Sequence, residues 1–130
     1  MAVPKTSLSV GEIVRDILIN DADVNSRANK IFPVVTDKAT LPYIAYRRSR
    51  TEHNPTKAKS PGADTVQLDL LCFTAKYADG VELAEAVRAA LDYAQGEKDG
   101  LVMRSCTFAG GEEYYEDDAY VQELSFSIKV

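Results

Sequence analysis

The sequence of 130 residues contains no tryptophan, one histidine and two cysteines. With so few of these residues it has neither a CxxC pair nor an HExxH motif, which excludes the common zinc spacings. Basic residues are also in the minority, with 15 Lys and Arg against 20 Asp and Glu and a net charge of -5. Nucleic-acid-binding domains usually carry a basic excess, so the overall charge argues against sequence-specific binding of DNA or RNA.

Long hydrophobic runs are missing as well. No apolar stretch approaches the roughly 20 residues of a membrane-spanning helix, and the segment Met1–Lys5 lacks the apolar centre of a signal peptide. We therefore expect a cytoplasmic product with no membrane partner. Cys72 and Cys106 lie in strand-like apolar runs, which predicts two buried, reduced thiols. A chain of this length suits one domain, 1–130, with its own hydrophobic core.

Hydrophobic periodicity predicts two amphipathic helices. The first spans Val10–Ile19, where Ser9 and Glu12 have the spacing of a capping box. The second spans Tyr77–Ala94, is rich in alanine, and is expected to stop at Gly96.

Alternating apolar residues predict strands at Ile31–Val35, Pro42–Arg50, Thr65–Thr74, Leu101–Phe108 and Tyr120–Val130. A polar loop of about residues 51–63 and an acidic connection, residues 109–119, separate some of them. The element order predicts an α+β fold, with a mostly antiparallel sheet of four to five strands and two amphipathic helices packed on one face.

Catalytic motifs are scarce. His53 lies in the polar loop, and no nucleophile elbow accompanies Ser105 or Cys106. Gly110 and Gly111 resemble turn residues, since no phosphate-binding motif surrounds them. The acidic cluster 112–118 lacks the spacing of a calcium loop. We therefore expect no enzyme, with no catalytic, metal-binding or cofactor-binding residue, and no cofactor. The remaining enzyme hypothesis is carboxylate chemistry by this acidic cluster.

The distribution of charge is more informative. One segment is basic, with Arg47, Arg48, Arg50, Lys57 and Lys59. Another is acidic, with Glu112, Glu113, Glu116, Asp117 and Asp118, and it includes Tyr114 and Tyr115. Opposite charges on one chain suit head-to-tail association of copies, which closes into a ring when the rotation allows. The alternative is two solvated segments that never meet. The tyrosines favour either contact with a partner protein or packing across a strand.

Several segments together resemble a known family. A first helix is followed by Ile-Phe-Pro (Ile31–Pro33) and by Leu-Pro-Tyr-Ile-Ala-Tyr (Leu41–Tyr46). A long loop then precedes Val-Gln-Leu-Asp-Leu-Leu-Cys-Phe (Val66–Phe73), and Tyr-Ala-Asp-Gly opens the second helix (Tyr77–Leu91). This order resembles the tail-completion, or tail-terminator, proteins that join head and tail in tailed bacteriophages and prophages. The likeness covers nearly the whole chain, and the acidic connection is the main departure.

The resemblance implies a structural α+β subunit without catalytic residues, located in the virion tail and made in the cytoplasm of the bacterial host. It implies a homo-oligomer, expected to be a hexameric ring, that caps the tail tube. The implied partners are the tail tube protein and the head-connector protein, and DNA would pass through the ring without sequence-specific contact. The alternative functions are a monomeric protein- or ligand-binding module of similar fold, or a small enzyme that uses the acidic cluster.

Overall fold

The computed structural model describes residues 3–34, 40–53 and 64–130. Its helices are α1 (Val10–Ile19), which follows a 3-10 turn at Ser7–Ser9, α2 (Ala22–Asn25) and α3 (Tyr77–Leu91). Its strands are β1 (Lys30–Pro33), β2 (Tyr43–His53), β3 (Asp64–Thr74), β4 (Gly96–Lys98), β5 (Leu101–Met103), β6 (Ser105–Glu116) and β7 (Ala119–Lys129). Within these ranges, no helix combines the length and the apolar character that a bilayer crossing requires.

The main sheet has five strands in the order β1–β2–β3–β7–β6, and β4 pairs with β5 in a separate two-stranded sheet. This arrangement confirms the predicted α+β class and the mostly antiparallel pairing. The sheet is nevertheless mixed, because β1 runs parallel to β2, with Lys30 beside Tyr43 and Pro33 beside Tyr46. A strand of four residues is too short for its sequence pattern to indicate its direction.

Both long helices pack on one face of the main sheet, as predicted. The spacing of apolar residues in α1 and α3 places them toward the sheet, and every second residue of β3 and β7 points back at them. Each large apolar side chain that is fully buried in this way stabilises the fold by about 1.5–3 kcal/mol. The core includes Val10, Val14, Leu18, Leu83, Val87, Leu91, Val66, Leu68, Leu70, Phe126 and Ile128.

The opposite face of the sheet, here called the open face, holds a smaller apolar cluster. Ala45, Leu71 and Val121 are buried there, and Phe73 and Tyr114 pack against them. Their burial therefore comes from side chains of neighbouring strands.

Helix α1 has the predicted bounds, but its capping box is wrong. Among the described residues, Ser9 makes no side-chain capping bond, and Glu12 instead pairs with Lys5 Nζ at 2.6 Å. The preceding 3-10 turn explains the difference. In a capping box Glu12 would accept the backbone N–H of Ser9, but that N–H already donates to the carbonyl of Thr6 at 2.8 Å. Thr6 caps that turn by accepting from the Leu8 N–H.

Helix α3 ends at Leu91, three residues before its predicted end. Asp92 leaves the helix, and its Oδ1 accepts the Phe108 N–H of β6 at 3.0 Å. Gly96 is not the helix stop. It begins β4, which turns back as β5 through Asp99 and Gly100, two residues with positive φ.

The predicted acidic connection is wrong, since most of it is strand. β6 runs to Glu116, and a turn of two residues, Asp117 and Asp118 with φ of 51° and 60°, leads into β7. Gly110 and Gly111 are not turn residues but lie inside β6. Gly110 follows a register shift and has a φ of 133°. A Cβ on Gly111 would overlap the carbonyl of Glu123 in the neighbouring strand. Glycine and acidic residues have loop-like composition, and pairing with β7 overrides it.

The predicted loop at residues 51–63 begins later than expected. Thr51, Glu52 and His53 belong to β2 and pair with Val66, Thr65 and Asp64. Residues 54–63 lie outside the described part of the chain, as do residues 35–39, which include the last residue of the predicted strand Ile31–Val35.

Candidate assembly surface

The basic and acidic segments lie on opposite sides of the main sheet. The described basic residues, Arg47, Arg48 and Arg50, belong to β2, and the acidic residues belong to β6 and the turn after it. Strands β3 and β7 lie between them, which separates β2 from β6 by about 14 Å at ordinary strand spacing. The two segments therefore face different sides of one subunit. Lys57 and Lys59 lie outside the described residues.

Arg47 is engaged within its own subunit. Its Nε lies 3.5 Å from Asp69 Oδ2, and its Nη2 lies 3.5 Å from Glu123 Oε1. Asp69 is only 4% exposed, although it lies on the open face. The Ser125 hydroxyl donates to Asp69 Oδ1 at 2.7 Å. Arg47 thus neutralises a buried carboxylate as well as adding charge to the surface.

Arg48 and Arg50 are exposed and project from the same strand. Arg48 donates to the Thr51 hydroxyl at 2.7 Å. Within the described ranges, neither guanidinium has an ion-pair partner. These two side chains can therefore meet acidic groups of another molecule without first breaking an ion pair.

Glu113 anchors the acidic hairpin, which we define as residues 112–118 at the end of β6 and in the turn after it, to α3. The Tyr77 hydroxyl donates to its carboxylate at 2.9 and 3.0 Å, and Gln122 Nε2 donates at 2.6 Å. Hydrogen bonds from Gln122 and then Tyr77 lower the pKa of Glu113, and the bond to Glu113 raises the pKa of Tyr77. The Tyr120 ring lies 5.9 Å from that of Tyr77. These contacts with α3 and β7 hold the acidic hairpin in place.

The two tyrosines of the acidic segment have different surroundings. Tyr114 packs against the apolar cluster of the open face, as in the cross-strand alternative. Tyr115 is 59% exposed, contacts the Tyr120 ring at 4.9 Å, and lies next to Asp118. Only Tyr115 has the exposure that contact with a partner requires.

Carboxylates also crowd one another on the open face. Burial raises the pKa of Glu123, and a hydrogen bond with Glu112 and the charge of Asp69 raise it further, against the opposing effect of Arg47. Glu123, on β7 beside the acidic segment, therefore holds a proton more readily than an isolated glutamate does.

His53, which lies at the end of β2, forms a three-residue contact that resembles a catalytic triad only superficially. Its Nδ1 lies 2.6 Å from Asp64 Oδ1, and the Ser7 hydroxyl donates to Asp64 Oδ2 at 2.6 Å. A triad requires the histidine between hydroxyl and carboxylate, whereas here the carboxylate lies between them. The hydrogen bonds from Ser7 and then His53 lower the pKa of Asp64. The contact fastens the first turn of the chain to the sheet.

Two clefts among the described residues lie away from the charged segments. One of about 460 Å³ is lined by Arg27, Pro42, Thr74 and Glu82, among others, and another of about 480 Å³ lies between α1 and β1. Both are open. No group of three or more His, Cys, Asp or Glu side chains suitable for a metal ion occurs in residues 3–34, 40–53 and 64–130.

Two features of the open face were not identified from the sequence. One is Asp69, whose burial depends on partners in two other strands. The other is the stacked pair Tyr43 and Phe73, with ring centroids 4.5 Å apart and Phe32 at the edge of Tyr43. The signal available in the sequence is the apolar pair Leu71 and Phe73, which lies on the face of β3 opposite its core residues.

Comparisons with known proteins agree with this architecture. The family model described as "Tail completion protein gp17" matches residues 12–130. A chain in the solved structure titled "Virion of native gene transfer agent (GTA) particle" is 17% identical, with a TM-score of 0.77 over 97% of this chain and 98% of that one. At this identity the structural likeness shows the fold alone. No curated protein matches the sequence.

Proposed function

The chain belongs to the family of tail completion protein gp17, and from this membership we propose that its copies form a ring that caps the tail tube and joins it to the head connector. Membership itself makes the chain a structural component of the tail in a bacteriophage-type virion. The ring, its expected six subunits, and contacts with the tube and connector proteins are the proposal. DNA would pass through the central opening.

The observation that carries the proposal is the separation of opposite charges across the sheet. One side of the subunit presents Arg48 and Arg50, and the other presents the exposed hairpin 112–118. A surface with this polarity cannot pair with itself favourably, because like charges would meet. It can pair with the opposite side of the next copy, and such heterologous contacts generate rings when the rotation closes.

Charge reversal tests the ring directly. We expect the wild-type protein to form a closed oligomer at high concentration and low ionic strength, and to dissociate as salt screens the contacts. The double variant Arg48→Glu/Arg50→Glu should remain monomeric in light scattering or analytical ultracentrifugation. A matched control, Arg15→Glu/Arg104→Glu, changes the charge equally at exposed positions on α1 and before β6 and should assemble. Assembly of Arg48→Glu/Arg50→Glu like wild type would contradict the proposed contact.

Deleting the gene from the genome that encodes the particle tests the role in the virion. We expect electron microscopy to show DNA-filled heads and tails that remain unjoined, with complete particles restored by a plasmid copy of the gene. The Arg48→Glu/Arg50→Glu copy should fail to restore them, while the Arg15→Glu/Arg104→Glu copy should succeed. Complete particles in the deletion strain would exclude a tail-completion role, and would favour the monomeric binding module.

A further inference from the structure

Among residues 3–34, 40–53 and 64–130, strands and backbone bonds cover only about half of each lateral edge of the main sheet. On one side, β1 covers β2 from Tyr43 to Tyr46, and the last bond there is from the Val34 N–H to the Tyr46 carbonyl at 2.7 Å. From Arg47 to His53, the only strand beside β2 in the described structure is β3. We call this segment the open β2 edge.

The opposite edge shows the same pattern. Near the start of β6, the Tyr93 N–H donates to the Cys106 carbonyl at 2.6 Å, and Asp92 accepts from the Phe108 N–H. Beyond these bonds, the segment from Gly110 to Glu116 has β7 as its only strand neighbour among the described residues. We call it the open β6 edge.

The direction of the backbone groups follows from the tight turn after β6. A turn of two residues, Asp117 and Asp118, makes Glu116 and Ala119 a hydrogen-bonded pair, and bonded and non-bonded pairs alternate from there. Glu113 and Tyr115 therefore point their N–H and C=O groups away from β7. The Cys106 carbonyl and the Phe108 N–H, which bond to residues outside the sheet, also point away from β7. Their direction agrees with this assignment.

Strand direction also suits the two edges to each other. Three antiparallel pairings separate β2 from β6, so β6 runs antiparallel to β2. A second copy placed beside the first in the same orientation would bring its β2 antiparallel to this β6. The pairing register puts Glu113 level with Ile44, about six residues from Arg50. Joining the two open edges thus needs a step of roughly 20 Å along the strands, and closed sheets contain this kind of stagger.

Charge selects between possible pairings of the open edges. The open β6 edge and its turn carry five acids and no base: Glu112, Glu113, Glu116, Asp117 and Asp118. The open β2 edge carries three arginines against Glu52 alone. Two β6 edges would repel each other, and charged edges of this kind oppose indiscriminate pairing. An acidic edge beside a basic edge is attractive.

From these observations, and resting on the ring proposed above, we propose that the open β6 edge of one copy pairs through its backbone with the open β2 edge of the next, which extends the sheet from subunit to subunit. Backbone hydrogen bonds supply the affinity in such strand addition, and the side charges supply the selectivity. The occupant of each open edge is thus a second copy of this chain.

Two substitutions of one residue separate backbone pairing from charge contact. Both Glu113→Pro and Glu113→Thr remove the carboxylate and its bonds to Tyr77 and Gln122, but only proline also removes the outward N–H. We expect Glu113→Thr to form rings, and Glu113→Pro to raise the dissociation constant of the ring roughly tenfold or more beyond that of Glu113→Thr. Circular dichroism and thermal unfolding establish that both variants are folded.

Amide hydrogen exchange on the wild-type protein gives a second readout that needs no variant. The outward amides of Glu113 and Tyr115 should exchange roughly tenfold or more slowly in the ring than in the monomer, and so should the Arg48 amide. The inward amides of Glu112 and Tyr114 bond to β7 in both states and serve as internal references.

The possible failures are distinguishable. A ring that forms equally well with Glu113→Pro and Glu113→Thr, or outward amides that exchange equally in ring and monomer, would overturn the sheet extension and leave the ring proposal standing. A wild-type protein that stays monomeric at high concentration and low salt would overturn the ring, and the sheet extension with it.

Discussion

At the scale of single residues, Asp69 depends most strongly on a charged partner. Its carboxylate is buried on the open face, and Arg47 is the cation beside it. We expect Arg47→Met, which keeps most of the aliphatic stem, to lower the free energy of unfolding by about 1–2 kcal/mol, because a buried charge would lose its counter-ion. Urea denaturation measures this value.

The control for that substitution is Arg48→Met on the next position of β2. The Arg48 side chain is exposed and donates to Thr51, so its loss should change the free energy of unfolding by less than about 0.5 kcal/mol. Equal effects at the two positions would show that Asp69 does not need Arg47.

Glu123 makes stability depend on pH in the opposite direction from an acid whose pKa is lowered in the folded state, because burial outweighs its contact with Arg47. Its pKa is raised, chiefly by burial, so the folded state holds the proton more tightly than the unfolded state. The associated stability is present below the ordinary glutamate pKa and is lost as pH rises through the raised value. We expect Glu123→Gln to be more stable than wild type by about 0.5–1 kcal/mol at neutral pH. Denaturation at several pH values should show this advantage vanish in acid, and an advantage that grows in acid would contradict the assignment.

The two cysteines should be unreactive in the folded protein. Burial raises the pKa of both the Cys72 and the Cys106 thiol to about 12, and both side chains are 0% exposed. Thiolate is the reactive form, so neither residue should react with an aromatic disulfide reagent at mildly alkaline pH. Guanidinium chloride should release two reactive thiols per chain. Fast reaction of one thiol under native conditions would place it at the surface.

At the scale of elements, β6 depends on a close approach to β7 that only glycine permits. A Cβ at Gly111 would overlap the backbone carbonyl of Glu123, so Gly111→Ala must push the two strands apart. We expect it to lower the free energy of unfolding by about 2–4 kcal/mol.

Gly100→Ala is the comparison for that prediction. Gly100 has a φ of 87° in the turn between β4 and β5, with open space where its Cβ would lie. Its substitution carries the conformational cost alone, about 1 kcal/mol. If Gly111→Ala costs no more than Gly100→Ala, the strands do not approach as closely as described.

Among the long strands, β6 is also the one that the sequence predicts least well. Helix α1 and strands β3 and β7 were identified almost to the residue, because their apolar periodicity is continuous and their buried faces depend on it. β6 was assigned largely to a loop, since its stability comes from pairing with β7 and its own residues have loop-like composition. The capping box failed for a related reason, because a 3-10 turn replaced the local interaction that the motif describes.

The candidate surface was only partly predictable. The sequence identified a basic and an acidic segment, but their placement on opposite sides of the subunit depends on the strand order. It also could not assign Arg47 to Asp69, because the two residues meet only through the register of β2 and β3. Participation of these segments in a subunit interface stays a prediction.

At the scale of the whole molecule, polarity distinguishes a ring of heterologous contacts from symmetric pairing. In a heterologous ring every subunit uses one basic side and one acidic side, so reversing either side removes one half of every contact. In a symmetric dimer, by contrast, a side of one subunit would meet the same side of the other, basic against basic or acidic against acidic. The two arrangements respond differently when complementary variants are mixed.

We expect Arg48→Glu/Arg50→Glu, which is acidic on both sides, and Glu112→Lys/Glu116→Lys, which is basic on both sides, to remain monomeric when each is alone. Mixed in equal amounts at low ionic strength, they should assemble, because each acidic side then faces a basic one. Because the two variants must alternate around the ring, only a ring with an even number of subunits can close. A hexamer meets this condition. Native mass spectrometry of the mixture should show equal numbers of both variants, whereas a mixture that stays monomeric would mean that these charges do not face each other across the subunit contact.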